Sequence, residues 1–397
     1  MAKRKGMEVS IAIAEAASMC NVDVVSAYPI TPQTHVVEHL ADIVADGELD
    51  AEFIPVESEH AAMSACVGAA AAGARTFTAT ASQGLALMHE ILFIASSLRT
   101  PIVMVVANRA LSAPINIWND HSDVMTERDV GWIQIFAENG QEAADLVVQA
   151  FRFGEDKRVL LPVMVHFDGF VVSHVVEPIE MLTHAEVKTF LPDYAPQQKL
   201  DIDAPISMGP VGIPAVYTEA KMAGEAVLRD AYGPIVECLD DFGKRFGRTY
   251  KPVETYRRED ADILLVTMGG ISETAMTWVD RARAAGEKVG LVRFRLWRPL
   301  PDKDFKEAVK GARVLAVVDR HFSPGGPGGP VAQEIKYILY GQKGAPSIVE
   351  FVAGLGGRDV GFADFDNMYK KAKAVLGGAT VPPFEIVQVR GGHHGEA

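Results

Sequence analysis

The sequence predicts a two-domain α/β protein built on parallel sheets, and three observations lead there. Short apolar runs such as Thr76–Thr80 and Ile102–Ala107 have the length and continuity of strands buried on both faces. Helical patterns of about 10–15 residues separate these runs, which is the βαβ order of a parallel sheet. The alternation lapses from about 171 to 255, where prolines at 178, 192, 196, 205, 210 and 214 punctuate the chain, and then resumes to about 385.

In order, an Ala-rich amphipathic helix over Val9–Cys20 leads to a strand at Asp23–Ala27, a proline-bounded turn and a helix from Pro32 to Ala45. A strand near Glu52–Pro55 precedes a second Ala-rich helix, Ser58–Ala72. The strand Thr76–Thr80 is followed by a helix over Gly84–Ser97, in which Met88, Ile91, Leu92 and Ala95 fall at core spacing. The strand Ile102–Ala107, a helix Ala143–Arg152 and a strand Val163–Phe167 complete the first domain. The connecting region holds one expected helix, Glu219–Ala231, on an otherwise irregular path. The second domain reads as strand Ile263–Thr267, helix Glu273–Ala285, strand Val289–Arg293, helix Asp302–Val309, strand Val314–Asp319 and helix Val331–Tyr340. The expected divisions are 1–175, 176–258 and 259–397, with the GGHHGEA tail frayed.

The bulk properties exclude several classes. A net charge of −14 argues against a nucleic-acid surface, which needs clustered Lys and Arg. The Ile11–Cys20 run is interrupted by Glu15 and Ser18, the MAKRKG start leads into a periodic segment without a cleavage site, and no membrane partner is expected. The protein reads as cytoplasmic. Its three cysteines, Cys20, Cys66 and Cys238, are far apart and form no C-x-x-C, so disulfides, zinc sites and iron–sulfur clusters within this chain are not expected. Cys66, inside an Ala-rich helix, reads as a small buried hydrophobe.

In a parallel sheet, ligands bind beyond the carboxyl ends of the strands. Those ends are polar here. After Asp23–Ala27 comes YPITPQT, in which Pro29 and Pro32 present Thr31 at a rigid tip. After Glu52–Pro55 comes VESEHAA, with Glu57, Glu59 and His60 entering a helix, where carboxylates also serve as ordinary helix-dipole partners. ASQG follows the next strand with Ser82, Gln83 and Gly84, and NRALSAP follows the fourth with Asn108 and Arg109. A hydroxyl, a carboxylate, an amide and a guanidinium in succession describe a polar cleft along one sheet edge. Arg109 could pair bidentately with a small anionic substrate.

The segments YPITPQT, VESEHAA, TFTATASQGLALMHE and NRALSAPINIWNDHSD, continued by VLLPVMVHFDGFVVSH at 159–174, strongly resemble the pyrimidine-binding domain of pyruvate:ferredoxin oxidoreductase and its 2-oxoacid relatives. The second domain is similar to the transketolase C-terminal-type domain of that family. The resemblance implies the alpha subunit of a thiamine-diphosphate-dependent 2-oxoacid:ferredoxin oxidoreductase. It matches Glu59 to the glutamate that contacts the aminopyrimidine N1′, with Glu57 the nearby alternative, and Thr31 and Arg109 to groups that hold the substrate's carboxylate and carbonyl. Gln83 is expected to line the same pocket. The implied reaction is oxidative decarboxylation with coenzyme A as co-substrate. Pyruvate is the default substrate and an aromatic 2-oxoacid such as phenylglyoxylate the competitor, and electrons end on ferredoxin or another acceptor. The chain has no G-D-G segment for the diphosphate and Mg²⁺. A diphosphate-binding beta-type subunit, a ferredoxin-like subunit with 4Fe–4S clusters and a gamma-type subunit are therefore expected partners in a hetero-oligomer. A scaffold subunit that keeps this fold without the chemistry is the reading of another class.

Three further features of the sequence resemble functional motifs. His35, Glu38 and His39 fit an H-x-x-E-H zinc pattern, but the pattern is short and a third protein ligand is not evident, so no metal is assigned. SPGGPGGP at 323–330 lacks phosphate-loop spacing and carries three prolines, which reads as a tight turn, with coenzyme A contact left open. Asp120, His121 and Asp123 read as a hydrogen-bonded loop.

Overall fold

A computed structural model describes residues 4–390, so the expectation for the 391–397 tail lies outside the described residues, as does the start of MAKRKG. The chain opens with β1 (Lys5–Glu8), α1 (Val9–Met19), β2 (Val24–Ala27), α2 (Thr34–Ala45), β3 (Glu52–Pro55), α3 (Glu59–Ala71), β4 (Thr76–Thr80) and α4 (Ser82–Leu98). It continues with β5 (Val103–Asn108), α5 (Ser122–Thr126), β6 (Ile133–Phe136), α6 (Gly140–Gly154), β7 (Val163–Asp168) and β8 (Val176–Ile179). Three helices follow, α7 (His184–Phe190), α8 (Pro214–Asp230) and α9 (Tyr232–Phe246). The second unit runs β9 (Val253–Tyr256), β10 (Ile263–Met268), α10 (Ile271–Ala284), β11 (Val289–Phe294), β12 (Leu296–Arg298), α11 (Asp302–Ala308) and β13 (Val314–Asp319). It ends with α12 (Pro330–Leu339), β14 (Ser347–Val352), a single 3-10 turn at Leu355–Gly357, α13 (Phe362–Leu376) and β15 (Glu385–Ile386).

The first sheet has seven strands in the order β12-β6-β7-β5-β4-β2-β3, all parallel except the edge strand β12. The second has six, β15-β14-β13-β10-β11-β9, parallel except β9. Every residue of β4, β5, β6, β7, β10, β11 and β13 is buried, as strands covered by helices on both faces must be. One core joins α1, α2, α6 and α9 to one face of the first sheet. On the other face, α3 and α4 pack through Met63, Cys66, Met88 and Leu92. The second sheet is covered by α11 and α12 on one face and by α10 and α13 on the other.

Two expectations need correction. The stretch 176–258 is not an irregular crossing: α9 buries Ile235, Cys238, Leu239 and Phe242, and the longest segment in it without regular structure is 191–213. Between α9 and the body, Arg248 pairs with the buried Asp145. The two units also do not keep separate sheets. β12 leaves β11 after a single residue and pairs antiparallel with β6, Leu296 opposite Ile135. Beside that exchange, Arg293 and Arg295 of the second unit hold Glu142 of α6 in a buried cluster. Burial pushes the Glu142 carboxyl up, but the two guanidiniums outweigh it and hold the group down at about 2.

Candidate active site at the strand ends

The four polar strand ends are neighbours in space, because β5, β4, β2 and β3 are consecutive in the sheet. The chain order reverses about β2, with β3 on one side and β4 on the other, which is where an open α/β sheet forms its crevice.

Glu59 is the first residue of α3, set there by Ser58, whose hydroxyl caps the helix by accepting the Ala61 amide at 3.2 Å. Its side chain is buried at 6% exposure, while Glu57, two residues earlier, is exposed. Among the described residues the Glu59 carboxylate makes no side-chain hydrogen bond. It lies against Gly84 in the first turn of α4, where an added Cβ would stand 2.6 Å from Glu59 Oε1 and 2.5 Å from Thr80 Oγ1. Glycine is required there by the close approach and not by the backbone angle.

Arg109 follows β5 directly and is 5% exposed. Its Nη1 donates to the Thr31 carbonyl at 2.8 Å, so the structure joins two of the expected site residues through the main chain of one. Its Nε donates to Asn116 O at 2.9 Å. The side-on fork of Nε with Nη2 is therefore closed to a ligand, and only the outer edge, Nη2 and the second Nη1 hydrogen, remains. Thr31 itself is exposed on its turn. Gln33 pins that turn by donating to Tyr28 O at 3.0 Å and to Ala79 O of β4 at 3.3 Å.

Ser82 and Gln83 start α4. Ser82 sits at φ 47°, a left-handed conformation that costs on the order of 1–3 kcal/mol for a residue with a side chain. Asp123 compensates. Its Oδ2 accepts the Ser82 amide at 3.1 Å and the Arg109 amide at 2.9 Å, while Oδ1 accepts Val124 N at 2.7 Å and Asn108 Nδ2 at 3.2 Å. One buried carboxylate thus sets the spacing between the Gln83 turn and the Arg109 strand end. Burial pushes the Asp123 carboxyl up to about 7, against the pull of the Arg109 and Ser82 amides. Gln83 Oε1 lies 2.6 Å from the Ser82 hydroxyl, and its buried Nε2 has no partner among the described residues.

The NDHSD loop is a hydrogen-bond hub. Asp120 accepts the Gly356 amide of the second unit at 3.0 Å, and Asn116 donates to Gly356 O at 3.0 Å. The second unit therefore braces the loop that holds Arg109. His121 and Arg320 both meet Asp168 at the end of β7, at 2.9 and 2.8 Å. Burial pushes the Asp168 carboxyl up, but the Arg320 charge and the His121 hydrogen bond prevail and hold it down at about 2. Burial also pushes the Cys66 thiol up to about 12, consistent with a small core residue. Gln33 was invisible to pattern reading and Asp123 showed only as part of a hydrogen-bonded loop, because both act on main-chain groups distant in sequence.

The Gly/Pro run at 323–330 is a turn in which the Ser323, Gly326 and Gly329 amides are already bonded. Glu350 accepts Gly329 N, and Asp319 accepts Val331 N and Ala332 N at 2.9 and 3.0 Å, so the start of α12 has no free cradle for a phosphate.

A doubly wound parallel sheet thus carries, at neighbouring strand ends about its switch point, a buried carboxylate with no hydrogen-bond partner among the described residues, a half-satisfied guanidinium and a glycine in close contact with the carboxylate, which defines an α/β protein with a polar strand-end site. The chain belongs to the pyruvate:ferredoxin oxidoreductase family. Residues 15–237 match "Pyruvate flavodoxin/ferredoxin oxidoreductase, thiamine diP-bdg", and residues 261–365 match "Pyruvate:ferredoxin oxidoreductase core domain II". It is 47% identical over 389 residues, 98% of each chain, to the pyruvate synthase subunit PorA of Pyrococcus furiosus. A solved structure of the 2-oxoglutarate:ferredoxin oxidoreductase from Magnetococcus marinus shares the fold at TM-score 0.69 and 20% identity, covering 93% of this chain and 65% of that one. A split-gene transketolase is similar at TM-score 0.57 and 11% identity, over 93% of this chain and 99% of that one. The parallel-sheet thiamine-type domain followed by a transketolase C-terminal-like domain is thus the fold.

Proposed function

We propose that this chain is the alpha-type subunit of a CoA-acylating pyruvate:ferredoxin oxidoreductase and supplies the aminopyrimidine-facing half of its active site. The observation that carries the reading is the buried Glu59 carboxylate at the switch-point strand ends, which makes no hydrogen bond among the described residues and lies against Gly84. Bound there, thiamine diphosphate supplies the nucleophilic carbon and the electron sink for loss of CO₂ from a 2-oxoacid. Glu59 holds a proton at the pyrimidine ring nitrogen. The outer edge of Arg109 binds the substrate carboxylate, the Thr31 hydroxyl bonds its carbonyl, and Gln83 Nε2 lines the pocket. Asp123 and Gln33 keep these strand ends at fixed spacing.

The rest of the machinery belongs to partners. The sequence lacks G-D-G, so a beta-type subunit holds the diphosphate and Mg²⁺, and its three isolated cysteines leave the 4Fe–4S clusters to a ferredoxin-like subunit, with a gamma-type subunit completing the assembly. Coenzyme A takes the acyl group and ferredoxin the electrons. Supporting a covering partner, α4 starts at the cleft and exposes Leu87, Phe93 and Ile94 along its outer side. Pyruvate is favoured over phenylglyoxylate because the PorA relative is a pyruvate synthase subunit.

The test is anaerobic native co-purification, followed by assays for thiamine diphosphate, iron and 2-oxoacid-dependent viologen reduction over a panel including pyruvate and phenylglyoxylate. CoA-dependent turnover of pyruvate, abolished by Glu59→Gln with the complex still assembled, is the expected result. A complex with full activity in the Glu59→Gln form would overturn the assignment.

A further inference from the structure

The H-x-x-E-H spacing of α2, to which the sequence assigned no metal, would require His35 and His39 to share an ion, but the structure sends these two rings to different partners. His39 Nε2 lies 2.8 Å from Glu15 of α1. His35 Nδ1 lies 2.6 Å from Glu8 Oε1 at the end of β1. A third group joins the second pair: the His174 ring is 4.8 Å from that of His35, centroid to centroid, at a tilt of 41°. One potential ligand atom from each of Glu8, His35 and His174 lies within 4.8 Å of the other two.

This convergence is built by the backbone. Glu8 is fixed by the antiparallel pairing of β1 with β8, where it stands opposite Val176, two residues beyond His174. His35 is in the first turn of α2. Three elements distant in sequence thus place two imidazoles and a carboxylate together, each partly buried. Two imidazoles on one tetrahedral ion, with metal–nitrogen bonds of about 2.0–2.1 Å, place their ring centres about 5 Å apart, close to the spacing seen. Ser173 Oγ, 2.7 Å from His174 Nδ1, accepts the Phe170 amide and has a second lone pair for an Nδ1 hydrogen, the usual outer tie of a ligating histidine.

We propose that Glu8, His35 and His174 form a binding site for a borderline divalent transition-metal ion such as Zn²⁺, with the fourth position left to water. Nitrogen and carboxylate donors in a three-residue set favour such ions over Mg²⁺ or Ca²⁺, which take oxygen ligands. The ion ties the start of α2, and so the turn carrying Thr31, to the β1–β8 ribbon. His174 also packs on Phe170, whose ring faces Trp118 of the Arg109 loop, so the tie reaches both sides of the cleft rim. It is a positioning device and takes no part in the reaction.

The test uses the full-length chain with His393 and His394 of the tail replaced by alanine, so that those imidazoles cannot compete. Co²⁺ titration followed by its visible absorption should show one ion per chain, displaced by Zn²⁺ and not by Mg²⁺. His174→Ala and His35→Ala should each weaken binding at least tenfold, and His39→Ala should leave it within twofold. Zn²⁺ should also raise the melting temperature, a shift that Glu8→Gln diminishes and His174→Gln removes; circular dichroism of these milder variants separates lost binding from lost fold. Absence of saturable Co²⁺ binding overturns the proposal. So does equal binding by folded His174→Gln, or a His39→Ala loss as large as that of His35→Ala, which would assign any ion to the helix motif alone.

Discussion

Replacing Gly84 with alanine perturbs Glu59 through a residue that has no functional group of its own. Gly84 has ordinary helical backbone, so alanine would by itself favour α4 by about 0.5–1 kcal/mol. The new Cβ, however, would stand 2.6 Å from Glu59 Oε1, 2.8 Å from its Cγ and 2.5 Å from Thr80 Oγ1, where ordinary contact begins near 3.4 Å. Thr80 belongs to a fully buried strand and cannot retreat, so the carboxylate must. A shift of roughly 0.8 Å approaches the 1 Å displacement that costs about 100-fold when a group must meet a reacting ring in register. Overpacking adds about 1–3 kcal/mol of destabilisation against the helix gain. Anaerobic pyruvate-dependent viologen reduction by the assembled complex should therefore fall roughly 30- to 100-fold in kcat/KM, with a melting temperature changed by only a few degrees. A folded, assembled Gly84→Ala complex within threefold of the wild type would refute the reasoning, because the carboxylate could then not be held where the contacts place it.

Three other outcomes are expected. Asp123→Asn turns one acceptor oxygen into a donor and leaves two of the four buried donors facing it unpaired, at about 1–3 kcal/mol each. Steady-state kinetics should show KM for the 2-oxoacid rising about tenfold with a smaller change in kcat; a pure loss of kcat would contradict a positioning role. Arg109→Lys keeps the charge but cannot bridge Thr31 O and Asn116 O while presenting an outer edge, so KM should rise about tenfold or more. Asp168 has its carboxyl held at about 2, below the usual 3.8, so its ionised form contributes stability that is whole above about pH 4 and is lost as pH falls toward 2. That amounts to about 2 kcal/mol, and acid-unfolding curves of Asp168→Asn should lack this part of the acid limb, while an unchanged limb would assign it elsewhere.

The legible part of the fold was the part written in continuous apolar runs. Thr76–Thr80 and Val314–Asp319 were bounded correctly to the residue, and the flanking helices to within a few positions. β12 could not be found this way: it has three residues, and its partner β6 lies about 160 positions earlier. α9 was hidden by Gly233 and Pro234 near its start and by the proline-rich stretch before it, although four of its side chains reach the core. At the cleft, Thr31, Glu59, Gln83 and Arg109 stood out because each falls within four residues of a strand's carboxyl end. Asp123 gave a weaker signal, an acidic residue in a polar loop, since its function is to accept main-chain amides from two other strand ends. His174 gave none, because its meeting with Glu8 and His35 depends on the pairing of two short strands at opposite ends of the first domain.

The exchange of β12 bears on how the protein can be made and divided. A ribosome that has released only the first 250 residues has produced a sheet whose β6 border still has unfilled main-chain donors and acceptors, an open template for another chain. The same exposed border would appear in any fragment cut between the two units. Expression of residues 1–250 alone should give material that associates through that border, and adding residues 251–390 in trans should cap it. The joint between the halves is thus a poor place for a gene to break, and the subunit behaves as one inheritable piece although its sequence reads as two.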